Sequence, residues 1–245
     1  MSRRQQGNRL MISPIAGTMW DADSKHFREC DITFNSRNGY WCRNETFDKA
    51  MIRDSLKNYK GFTNLKGSTV LDLGANCGGF TKMALDAGAT SVIAIEPCPH
   101  NFQVLCLNAP AAVCLNAAVS DAPDGEVTFY YSDSKRSSSS SSTIERRNFS
   151  GVSITVPAYD ILGLLEKHKP NIVKMDIESK EYDILDRMKT IPSYVDEFAL
   201  EVHRFSQKHT AYLDKFFPEN EWCRESKGFK FFGNMRHNDW LFRRK

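Results

Sequence analysis

The sequence has 245 residues, 41% hydrophobic and 26% charged, with a formal net charge of +3. That is ordinary globular composition, long enough for one large domain with a substantial core. The charge is too small to mark a nucleic-acid binder by itself, and no stretch approaches the roughly 18 apolar residues of a membrane span.

Residues 1–44 mix Gly, Asn, Ser and charges without a sustained period, and they read as an N-terminal extension available for substrate recognition, ahead of a domain over 45–245. The opening "MSRRQQGNRL" leads into no apolar signal core, so the expectation is a soluble, cytoplasmic protein. Seven scattered cysteines form no C-x-x-C pair with neighbouring histidines, as a zinc site would require, and read as reduced thiols. Asn44 precedes a helix with acidic residues in its first turn.

From there strands and helices alternate. "STVLDLG" (68–74) is an apolar strand, and Phe80, Met83, Ala84 and Ala87 then recur at helical spacing before Gly88. "SVIAIE" (91–96), a helix with Phe102, Leu105, Cys106 and Ala109 on its buried stripe, and "AVCLN" (112–116) follow. "GEVTFYY" (125–131) and "GVSITVP" (151–157) have no helix between them, which predicts an antiparallel insert or sheet extension. They flank 132–150, where six consecutive serines cannot bury apolar surface and predict a mobile loop. Asp160 caps a helix that Pro170 ends; "NIVKMDI", a helix from Ser179 and "EFALEVH" (197–203) continue the alternation. "GFKFFG" and "NDWLFRRK" predict an antiparallel edge. The whole is an α/β doubly wound, mostly parallel sheet of Rossmann-like class.

"VLDLGANCGGF" opens a glycine loop at a helix N-terminus after a strand, and the next strand ends in Glu96, twenty-two residues after Gly74. A carboxylate there can accept both hydroxyls of an adenosine ribose. Asn76 stands where a dinucleotide site has the glycine that admits a pyrophosphate, so a cofactor without phosphate fits better. S-adenosylmethionine is such a cofactor, with Asp72 placed to favour its ammonium group. The bland alternative is an apolar strand with a glycine turn and a stray carboxylate.

"VLDLGANCGGF", "VIAIEPCPHNFQVLCLN", "LNAAVSD", "KMDIESKEYDIL" and "LEVH", in this order, resemble the FkbM family of S-adenosylmethionine-dependent methyltransferases over about 68–203. The resemblance implies a class I methyltransferase fold, usually with O-methylation of a hydroxyl on a sugar, polyketide or lipid. It implies a cofactor site of Asp72, Gly74, Asn76, Gly78 and Glu96, with Asn116 and Ala117 near the adenine. The family usually has Gly where Ser179 stands here.

At the switch point of such a sheet, Asp176 faces the reactive end of the cofactor. Methyl transfer needs a positioned acceptor oxygen and a group to take its proton. Asp176 ranks first as acceptor contact and base, then Glu178, with His203 as the other base. Each has a structural reading too: Glu181 and Asp183 read as the solvated face of the helix after Ser179, and a lone histidine at a strand end is more often a satisfied structural residue. Carboxylates suit Mg²⁺, but no third ligand is placed by the sequence, so no metal is expected. The expected acceptor is a hydroxyl-bearing small molecule or glycan. A nucleic-acid acceptor is the alternative, supported by Arg3, Arg4, Arg9, Lys135, Arg136, Arg146 and Arg147 together with Trp222, Phe229, Phe231, Phe232 and Trp240. A non-catalytic cofactor-binding module is the third reading, disfavoured by acidic residues at 72, 96 and 176.

Overall fold

The computed structural model describes residues 32–131, 143, 151–203, 208–232 and 235–245. The N-terminal extension before residue 32 and nearly all of the serine segment lie outside the described residues, as do Arg3, Arg4, Arg9, Lys135, Arg136, Arg146 and Arg147.

Strands β1 (Ile32–Asn35) and β2 (Tyr40–Arg43) form an antiparallel hairpin ahead of helix α1 (Asp48–Tyr59). Then come β3 (Thr69–Leu73), α2 (Gly79–Asp86), β4 (Ser91–Ile95), α3 (Pro99–Asn108) and β5 (Val113–Leu115). Strands β6 (Ala118–Ser120), β7 (Gly125–Tyr131) and β8 (Val152–Asp160) precede α4 (Ile161–His168), β9 (Ile172–Met175), α5 (Glu181–Met188) and β10 (Glu197–His203). Helix α6 (Lys208–Asp214) and strands β11 (Trp222–Phe232) and β12 (Met235–Arg244) complete the described chain.

Seven strands form the main sheet in the order β11-β12-β10-β9-β3-β4-β5, in which β12 alone runs antiparallel to its neighbours. The order reverses between β3 and β9. The chain leaves β3 toward β4 and β5, then returns to the other side of β3, and this leaves a crevice beyond the carboxyl ends of the two central strands. Those strands are apolar runs because both faces of a parallel sheet are covered: Val70, Leu71, Leu73, Ile172, Val173 and Met175 are all buried.

The two C-terminal strands form the expected antiparallel edge, with β11 outermost and β12 between it and β10, where Leu241 and Phe242 are buried. The expected antiparallel pair of β7 and β8 forms a separate small sheet, which β6 joins parallel to β8. One expectation is revised. Asn44 does not cap α1, which starts at Asp48 after Phe47; the Asn44 side chain instead accepts from Thr33 Oγ1 at 2.9 Å. Asp160 does cap α4, accepting the Leu162 N–H at 3.1 Å.

The hairpin packs into the domain. Tyr40 and Cys42 are buried against Ile52, Cys77 and Val104. Buried Arg43 pairs with Asp48 at 2.7 Å and donates to Asn101 Oδ1 on α3, also at 2.7 Å. The six described cysteines are free thiols.

Candidate active site

The loop after β3 brings the backbone close to β9. Gly74 has φ of +76°, and a Cβ there would lie 1.8 Å from the Asp176 carbonyl oxygen, so only glycine fits. Asn76, at φ 51°, takes the left-handed conformation that asparagine tolerates best among side-chain-bearing residues. Its side chain accepts the Cys77 N–H at 2.8 Å and steadies the turn. Gly78 precedes α2 at φ +81° and faces Leu105 and Asn108, so it serves helix packing and not the cleft.

Glu96 follows β4 and is 5% exposed. Its Oε2 accepts the Asn76 N–H at 2.8 Å and its Oε1 the Cys98 N–H at 2.9 Å. Burial pushes its carboxyl up to about 7, against the lowering effect of those N–H groups and of Lys174. Asn101, held by Arg43, points its amide toward Oε1 at 3.5 Å. Asn101 and Arg43 escaped sequence reading because 58 positions separate them and neither sits in a motif.

A cleft runs from Glu96 past Gly74 and Asn76 to Asp176 and Glu178. Its apolar walls include Ile95, Pro97, Val119 and Phe129, the last two from the small sheet. The structure thus brings together Gly74, Asn76, Glu96, Asp176 and Glu178. It sets Asp72, Asn116 and Ala117 behind the wall. Asp72 is fully buried, accepts from Thr81 Oγ1 at 2.6 Å and pairs with Lys174 Nζ at 3.2 Å, so its charge is already engaged. Asn116 donates to the carbonyl oxygens of Glu96 and Pro97 and fixes the turn carrying Glu96. Ala117 packs in the main core.

At the other end of the cleft the backbone turns through two left-handed residues, Glu178 at φ 58° and Ser179 at φ 86°. The departure from the family pattern therefore falls where the backbone favours glycine, and Ser179 holds a strained conformation there. The turn carries Glu181 into the interior. Contrary to expectation Glu181 is not on a solvated face: it is 0% exposed and accepts the Ser179 N–H at 3.0 Å. A signal was present, because Glu181 stands three, four and seven residues before the buried Ile184, Leu185 and Met188. Asp183 is exposed and pairs with Lys180 at 2.7 Å.

Glu181 Oε1 meets His203 Nδ1 at 2.8 Å. The other imidazole nitrogen, Nε2, faces Glu178 Oε2 at 3.5 Å, Glu201 Oε1 at 3.9 Å and Asp176 Oδ1 at 4.0 Å. Burial alone would lower the imidazole's pKa, but the hydrogen bond and charge of Glu181, with Glu178 and Asp176, push it up to about 10. These neighbouring carboxylates favour the charged imidazolium over the neutral ring. Tyr59 Oη donates to Asp176 Oδ2 at 3.4 Å. Glu201 is the residue sequence reading passed over: it lies two positions before His203 on β10, hence on the same face of the strand.

A central parallel sheet with its cleft at the switch point, a buried carboxylate after the second strand and an acidic corner after the fourth of its parallel strands define a class I methyltransferase architecture. The family model described as methyltransferase FkbM domain matches residues 72–237, and the chain belongs to that family. No curated protein matches the chain by sequence. Among solved structures it is similar to Trm5b from Pyrococcus abyssi, with 13% identity, a TM-score of 0.48, and 87% of this chain and 56% of that chain covered. TYW2 of M. jannaschii in complex with AdoMet is 15% identical at a TM-score of 0.45, covering 88% and 87%. TrmK of M. capricolum, in complex with S-adenosyl-homocysteine, is 10% identical at 0.42, covering 80% and 68%. This chain spans little more than half the length of Trm5b, and at such scores these likenesses carry no argument about activity or acceptor. Among the described residues, no helix is long and apolar enough to cross a membrane.

Proposed function

We propose that the chain is an S-adenosylmethionine-dependent methyltransferase that acts on a hydroxyl oxygen of a small molecule or glycan. One observation carries the cofactor: three carboxylates, Glu96, Asp176 and Glu178, line the cleft, while the lysine among its described lining residues, Lys180, is paired with Asp183. Such a wall favours a sulfonium with an ammonium group and repels a pyrophosphate. The apolar wall from Ile95 to Phe129 suits an adenine.

S-adenosylmethionine, when bound, supplies a methyl group on a positively charged sulfur. Glu96 accepts the ribose hydroxyls with lone pairs that its two backbone donors leave open. Gly74 lets the loop approach without a side chain. Asp176, oriented by the Tyr59 hydroxyl, stands at the carboxyl end of β9 and takes the acceptor proton as the oxygen gains positive charge. Most of the acceleration comes from holding acceptor and methyl together in a water-poor cleft.

The hydroxyl acceptor is supported by the family and by the nearly neutral charge. Calorimetry with S-adenosylmethionine and with NAD tests the cofactor: Glu96→Ala is expected to weaken the first, and preference for NAD sinks the reading. Tritiated methyl transfer to RNA, DNA, glycan and small-molecule fractions tests the acceptor. Label in RNA or DNA, with a steep salt slope and sensitivity to Arg146 and Arg147 substitution, moves the acceptor to nucleic acid. Binding without transfer to any fraction leaves a non-catalytic module. Asp176→Asn is expected to abolish transfer more than it weakens cofactor binding; a large fall in melting temperature returns Asp176 to a structural role.

A further inference from the structure

We propose that the acidic corner is a binding site for a first-row divalent cation of the Mn²⁺ or Zn²⁺ kind, ligated by Asp176, Glu201 and Nε2 of His203. One ligand atom from each of these residues lies within 4.8 Å of the others. From His203 Nε2 the separations are 3.9 Å to Glu201 and 4.0 Å to Asp176. Ligands bound at about 2.1 Å sit roughly 3.0 to 4.2 Å from one another, so small side-chain adjustments complete the shell.

The orientation of the histidine is the second observation. Its side chain is 2% exposed, its Nδ1 is fixed by buried Glu181 at 2.8 Å, and Nε2 is thereby turned onto the carboxylates. A carboxylate behind the non-ligating nitrogen is the arrangement that orients metal-binding histidines, and the ion would displace the proton of Nε2 while Nδ1–H stays on Glu181.

The donor set points to the kind of ion, since imidazole nitrogen with carboxylate oxygens suits Mn²⁺ or Zn²⁺, whereas Mg²⁺ prefers oxygen alone. Asp176 and Glu178 both line the cleft, so an ion held here presents an open position to it. Resting on the methyl-transfer reading, that position would bind the acceptor hydroxyl oxygen and acidify it; with the ion bound, Asp176 is engaged as its ligand and Glu178 would take the proton in its place.

The test is titration of the full chain with MnCl₂ and with ZnCl₂ by calorimetry, with pulsed electron paramagnetic resonance of the Mn²⁺ form. The expected result is one saturable ion per chain, with nitrogen coupling from one imidazole and at least tenfold weaker binding in Glu201→Gln. A melt of Glu201→Gln in chelator verifies that this variant is folded. Absence of saturable binding below millimolar Mn²⁺ or Zn²⁺, undiminished binding in Glu201→Gln, or a Mn²⁺ signal without nitrogen coupling would each overturn the site. S-adenosylmethionine titrated in chelator reads the cofactor separately, so either reading can fail without the other.

Discussion

At one end of the cleft both oxygens of Glu96 accept backbone N–H groups, at 2.8 and 2.9 Å. At the other end Asp176, Glu178 and Glu201 gather around a single imidazole at 3.5 to 4.0 Å, and the segment that carries the first two turns through two strained residues. Backbone donors are positioned by the strand and loop themselves, so the first corner is set whatever the ligand does. The second depends on side chains and on charge balance. The first corner is thus built into rigid peptide, while the crowded charge of the second rests on side chains.

The hinge of that comparison is Gly74, which separates the corners. Gly74→Ala is expected to have the largest effect, because its Cβ would overlap the Asp176 carbonyl and the φ of +76° disfavours it as well. We expect a loss of about 3 kcal/mol or more in stability, read by denaturant melts, together with loss of cofactor binding. Near-wild-type behaviour would show that the loop and β9 are less tightly apposed than described.

Next is Glu181→Ala, which removes the buried partner of His203 Nδ1 without touching the cleft wall. Breaking a buried pair costs about 3 kcal/mol. The matching expectation is that cofactor affinity changes little, since Glu96 is at the other end. If affinity collapses with stability intact, the two corners are coupled and the contrast fails.

A smaller effect concerns pH at the Glu96 corner. Its folded pKa of about 7 lies above the ordinary value of 4.5, so the ligand-free fold gains stability from this group at acid pH and loses it as pH rises through that interval. In the proposed cofactor site ribose hydroxyls donate to the ionised form, so affinity should move the opposite way, weakening toward about tenfold per unit well below pH 7. Calorimetry from pH 5 to 8 checks this, and a flat profile would mean that Glu96 is ionised throughout.

The smallest expected change is a gain. Ser179→Gly relieves a residue at φ 86° and should stabilise by about 1 kcal/mol in thermal melts. A loss would mean that the serine side chain holds the acidic turn by contacts that outweigh the strain.

Much of the fold was legible because the signals are local. "GEVTFYY" coincides with β7 and "EFALEVH" with β10, and "STVLDLG" exceeds β3 by one residue at each end. Each is an apolar or β-branched run bounded by turn residues. Glu96, Gly74 and Asp176 were legible for the same reason, as residues at strand ends on a known spacing. The position of β12 inside the sheet was not, since two adjacent C-terminal strands fit either arrangement until register with β10 is known.

What the sequence by itself determined was therefore the alternation of elements, the parallel sheet and the identity of the residues at its carboxyl edge. Only the tertiary structure decided which of them meet. Asp72, read as a cofactor contact, turned inward to Lys174; Glu181, read as solvated, became the support of His203; and Glu201 joined Asp176 across neighbouring strands. Side-chain partners across a sheet follow from strand register and burial, which are set by contacts among residues far apart in the chain, and no local period or spacing encodes those.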